Sequence, residues 1–110
     1  MSAPRMVSGL VVATALLVVL PATKGAKADV SRGQILSQQW CSQCHGVRPN
    51  QTSANPDAPG FPAIALEPSA TEYSLRTFLR VPHKTMPNFV IKTEDIDDIV
   101  DYITSLKSKK

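Results

Sequence analysis

Apolar and polar positions follow different periods in successive parts of the chain. An unbroken apolar run from Gly9 to Leu20 is interrupted only by Thr14. From Asp29 to Trp40 a looser stripe of Val30, Ile35, Leu36 and Trp40 predicts a first helix, with Asp29 or Ser31 near its N-terminus. Gly33 sits inside it at a cost of about 1 kcal/mol relative to alanine, and either permits a close helix crossing or is a tolerated surface glycine. Between Gly46 and Pro68 five prolines, at 49, 56, 59, 62 and 68, exclude a long helix or central strand and predict a wrapping loop with Phe61, Ile64 and Leu66 as apolar contacts. The alternative for its 50–57 part is a mobile surface segment. Ser69-Ala70-Thr71-Glu72 has the form of a capping box, opening a helix that buries Leu75, Phe78 and Leu79, turns Arg76 and Arg80 away and stops before Pro82. A last helix, with Thr93 as N-cap and its end near Lys107, carries Ile96, Ile99, Val100, Ile103 and Leu106 at helical spacing. Its acids Glu94, Asp95, Asp97, Asp98 and Asp101 are expected mostly toward solvent.

The apolar run near the start is too short for a membrane span, which needs roughly 18 or more apolar residues. It follows Arg5 and precedes Pro21 and the small-x-small motif Ala26-Lys27-Ala28, so residues 1–28 read as a secretory leader cut after Ala28. The alternative is an uncleaved anchor inserting residues 7–22. Removal of the leader takes Arg5, Lys24 and Lys27, and the formal charge of +3 falls to zero, nine basic against nine acidic residues. A nucleic-acid partner is therefore not implied. The remaining 82 residues, 29–110, form one domain of a size that commonly needs a covalent or metal staple.

The chemistry concentrates in Cys41-Ser42-Gln43-Cys44-His45. In a helical turn two thiols three positions apart project to one side, where each sulfur can add to a vinyl group of one porphyrin, and the following imidazole can ligate its iron. This is the attachment signature of a c-type haem. Zinc, a redox dithiol and a plain disulfide are the rival readings of the cysteine pair; zinc lacks a fourth ligand nearby, and the strand that precedes a redox CxxC motif is missing. Beyond the leader Met86 is the one methionine, set between Pro82 and Pro87, and its thioether suits the second axial position better than His83, read as a solvent-facing imidazole.

Over nearly all of its 82 residues the processed chain resembles the small bacterial class I c-type cytochromes, through the glycine-containing helix before CSQCH, the APGF loop, PHKTMPNF and the EDIDDIVDYITSLK helix. The resemblance implies a compact all-α cytochrome c fold, three to four helices with loops around one covalently bound haem c, in which the first and last helices cross near Gly33 and Tyr102. It also implies that the Pro59 carbonyl accepts from Nδ1 of His45. Where many members carry an aromatic residue four positions before the first cysteine, this chain has Ser37. The function implied is one-electron transfer in the periplasm rather than catalysis, as a free carrier or as the cytochrome subunit of a dehydrogenase or oxidase complex. Arg76, Arg80, Lys84 and Lys92, with no acid between Tyr73 and Lys92, offer a basic surface to a redox partner.

Overall fold

The computed structural model describes residues 1–6, 8–21 and 28–108. Four α-helices follow one another, α1 (Val30–Trp40), α2 (Phe61–Leu66), α3 (Glu72–Arg80) and α4 (Thr93–Ser105), and a 3₁₀ turn closes the chain at Leu106–Ser108. No strand occurs among the described residues. In the first stretch, Leu10–Val12 and Leu16–Leu20 are exposed, and no described helix is long and apolar enough to cross a membrane. Ala26 and Lys27 of the cleavage motif lie outside the described residues.

Asp29 caps α1, its carboxylate accepting from the backbone N–H groups of Ser31 and Arg32 at 2.9 and 3.1 Å. The helix then crosses α4 at Gly33. A Cβ built there would lie 1.9 Å from the Asp98 carbonyl oxygen and 2.9 Å from Cβ of Tyr102, so only glycine fits. Ser37, one turn later, is fully buried and donates its hydroxyl to the Gly33 carbonyl at 2.7 Å. A small residue whose polar group is satisfied within its own helix thus occupies the seam beside the crossing.

The apolar stripe of α4 is the centre of the core: Ile96, Ile99, Val100, Ile103 and Leu106 are each at most 4% exposed. Leu36 of α1, Phe61 and Ala65 of α2, and Val47 from the loop pack with this side of the molecule. Two expectations for α4 are corrected. Lys92 is the N-cap, with no side-chain bond, and Thr93 is the first helical residue. Asp95 and Asp98 are buried, since Arg32 reaches across from α1 and forms a fork to both carboxylates.

The proline-rich stretch does wrap, held by backbone and side-chain bonds. Phe61 N–H donates to the Gly46 carbonyl at 2.8 Å, Asn55 N–H to that of Cys44 at 3.0 Å, and Tyr102 Oη to that of Val47 at 2.6 Å. A Cβ at Gly46 would meet the Gln51 carbonyl at 2.2 Å, so the loop folds back onto its own start. It also contains α2, because Pro62 falls in the first turn, where a missing N–H costs nothing.

Around α3 three expectations change. Thr71, not Ser69, is the N-cap, accepting from Ser74 N–H at 3.1 Å, while Ser69 gives its carbonyl to the Ser74 hydroxyl. Leu75 and Leu79 are partly buried, but Phe78 is exposed, and no residue of the helix is fully buried. Arg76 does not point away: it binds Asp97 of α4 at 2.8 Å and Glu72 of its own helix at 3.1 Å, with Asp101 at 3.7 Å. These hydrogen bonds, that to Asp97 first, raise the Arg76 pKa further and keep the cation on α4.

Candidate functional site

Helix α1 ends at Trp40, but the chain keeps a helical path into the motif that follows. Cys41 and Ser42 N–H groups donate to the Ser37 carbonyl, and those of Cys44 and His45 to the Cys41 carbonyl, the last at 2.9 Å. That i to i−4 bond is the helical turn expected of the motif, and it brings both thiols and the imidazole to one region. The cysteines are free and partly buried. Burial pushes the Cys41 thiol up to about 11, so at neutral pH it is a protonated thiol and a poor redox nucleophile.

Nδ1 of His45 lies 2.7 Å from the Pro59 carbonyl oxygen. A carbonyl can only accept, so Nδ1 carries the proton and Nε2 keeps a free lone pair, the form of imidazole that binds a metal. Phe61 packs beside the ring, centroids 5.5 Å apart, and steadies its plane from the start of α2.

One cavity of about 60 Å³ is lined by Trp40, Cys41, Gln43, Cys44 and His45 together with Met86, Pro87 and Phe89. The fold therefore gathers both cysteines, His45 and Met86 around a single space. A porphyrin is larger than this cleft, and the wall least held in place is the 82–91 segment, which lies in no helix and, among the described residues, makes no backbone hydrogen bond to the rest of the fold. A second cavity of about 200 Å³, lined by Leu79, Pro82, Asn88 and Ile91 among others, lies against the same segment and shares Phe89.

His83 does not line the first cavity, and it is not solvent-facing as its sequence position suggests. Its ring stacks on Phe78, centroids 3.7 Å apart, Nδ1 meets the Val81 carbonyl at 2.9 Å, and Nε2 is buried without a hydrogen-bond partner. Two thiols, an imidazole and a thioether at one cavity are a donor set that fits a haem c.

A family model described as cytochrome c oxidase, cbb3-type, subunit III matches residues 28–103, more than half of the chain. The chain belongs to this family of c-type cytochromes. No curated protein and no solved structure matches it. The helical, strand-free architecture of the described residues is that of an all-α cytochrome c, and membership implies haem-based electron transfer with a haem c. In this cytochrome the sequence singled out the motif and Met86, but not Trp40 and Phe89, which also line the cavity. Trp40 adjoins Cys41 and could have been found from that adjacency; Phe89 carries no such signal.

Proposed function

We propose that the protein is an exported one-electron carrier whose haem c is joined to Cys41 and Cys44 and ligated by His45 and Met86. The observation that carries the reading is the convergence of these four side chains on one cavity. When bound, the haem supplies an iron that cycles between ferrous and ferric. The chain's own part is to hold that iron's surroundings constant. Pro59 fixes the His45 tautomer and makes the imidazole a stronger donor, and α1 delivers the thiols on a rigid turn. With His45 and Met86 holding it, the iron would offer no open position to a substrate, and the activity would be electron transfer rather than catalysis.

Residues 1–28 act as the leader and the periplasm is the working compartment, consistent with two cysteines reserved for thioether bonds. Arg80, Lys84 and Lys92, all exposed and without an ion pair among the described residues, form the basic surface offered to a redox partner. Arg76 is withdrawn from it by its pairing with α4. The second reading, a cytochrome subunit of an oxidase or dehydrogenase complex, is favoured by the printed description of the matching family.

Axial ligation is tested in the purified haem protein. Methionine ligation gives the ferric state a weak near-infrared band, which Met86→Ala abolishes while opening the ferrous iron to carbon monoxide; His83→Ala leaves both properties unchanged. An unmodified protein that lacks the band and binds carbon monoxide readily contradicts the assignment. Gel filtration from the native periplasm separates a free carrier, at the size of one small domain, from a complex subunit.

A further inference from the structure

The Asp95–Asp98 pair is short of one cation. Their side chains are only 10% and 9% exposed, and one guanidinium, Arg32, serves both. Two buried carboxylates with one positive partner leave a net negative charge, which burial makes costly unless a second cation is present. The remaining contact is the backbone nitrogen of Asp29, which donates to Oδ1 of Asp98 at 2.7 Å. In the unprocessed chain this nitrogen is an uncharged amide. It is also the atom that cleavage after Ala28 would set free.

We infer that processing at the Ala28–Asp29 bond supplies the missing cation, so that the new α-ammonium of Asp29 binds Asp98 and locks α1 onto α4. The inference rests on the leader reading proposed above. Chemically the step is hydrolysis: water adds to the Ala28 carbonyl, the C–N bond breaks, Ala28 leaves as a carboxylate, and the Asp29 amine takes a proton. The nitrogen need not move, since its acceptor is already in place. With the ammonium added, two positive groups face two carboxylates. The third carboxylate nearby, that of Asp29 itself, is exposed and occupied by the N–H groups of Ser31 and Arg32 at the positive end of α1. The lock sits beside the Gly33 crossing, so it acts where α1 and α4 approach most closely.

The sign of the pH dependence follows from the groups that face the ammonium. Asp98 and Asp95 of α4 and the Asp29 carboxylate favour its charged form; Arg32 and the positive end of α1 oppose it, but Arg32 is already engaged by both α4 acids and the end of α1 is occupied by the Asp29 carboxylate. Its folded pKa therefore lies above the ordinary value of about 7.7–8.0. Stability from the pair is complete below about pH 7.7 and is lost as pH rises through the higher folded value.

The experiment compares two haem-loaded proteins exported with leaders that leave different ends, one beginning at Asp29 and one with a single alanine before it. The added residue keeps an N–H at the same place as an uncharged amide and moves the α-ammonium one residue away from Asp98. The protein beginning at Asp29 should melt higher by about 4 °C or more at pH 6, and the gap should close toward pH 10. In an Asp98→Asn background the gap should vanish. Equal melting temperatures at pH 6, or a gap unchanged between pH 6 and pH 10, overturn the inference. Intact mass of the natively exported protein reports the cut separately: another N-terminus refutes the leader reading, whereas the engineered pair still reports on the Asp98 contact.

Discussion

Replacing Gly33 by alanine puts one methyl group where the structure has the α4 backbone. The new Cβ would stand 1.9 Å from the Asp98 carbonyl oxygen, 2.5 Å from its carbon and 2.9 Å from Tyr102 Cβ. Ordinary contact requires about 3.4 Å or more, and the obstructing atoms are backbone, which no rotamer change can remove. The helices must therefore separate by an ångström or more, straining the Arg32 fork that spans the same crossing. Overpacking of this kind costs about 3 kcal/mol, and the better helix propensity of alanine returns about 1 kcal/mol. The net loss of about 2 kcal/mol corresponds to a fall in Tm of about 8–16 °C for a domain of this size. Thermal melts of the haem-loaded variant by circular dichroism measure it, with exposed Gln39→Ala as the control. A Gly33→Ala protein as stable as its parent would refute the crossing, since propensity alone predicts a gain.

Tyr102→Phe leaves the buried Val47 carbonyl without its donor and should cost about 1–2 kcal/mol in a denaturant titration. Burial raises the Tyr102 pKa, with Arg48 opposing; a raised phenol contributes stability below its unfolded value of about 10 that is lost at higher pH, so the variant should show a shallower alkaline decline. The double variant Cys41→Ser with Cys44→Ser should lose cooperative thermal unfolding, because an 82-residue domain with so much irregular chain is marginal without its staple; a sharp transition with full helical circular dichroism would show that the polypeptide core suffices. If a basic surface steers partner encounter, Arg80→Glu or Lys84→Glu should lower the electron-transfer rate at about 10 mM salt and leave it unchanged at about 300 mM, where screening is severalfold shorter in range. Rates flat with salt would assign the contact to an uncharged surface.

What the sequence made readable was local. The α4 stripe, the Asp29 cap and the break at Pro82 each follow from residues within one or two turns, and all appear in the structure. The need for glycine at position 33 was visible only as an open choice, and the partner that decides it, Asp98, is far along the chain. Asp95 and Asp98 were assigned to solvent for the same reason: periodicity places a carboxylate on a helix face but cannot see an arginine on another helix. At Ser69 and Thr71 two hydroxyl caps compete over three positions, and the local code does not choose. The composition of 46–68 excluded a long helix correctly, yet a short one needs only a proline in its first turn. At the site the motif was fully legible, because the thiols and the imidazole are neighbours in sequence. Met86 stands out in sequence by its uniqueness, whereas its place at the same cavity as the motif depends on the whole path through α2 and α3.

The most direct test of the account is the mass of the purified exported protein after denaturation and acid-acetone extraction. The account predicts a red chain of residues 29–110 carrying the added mass of one haem, with no titratable thiol and an alkaline pyridine spectrum of two saturated vinyl groups. A colourless extracted chain with Cys41 and Cys44 recovered as free thiols or as a disulfide would contradict it.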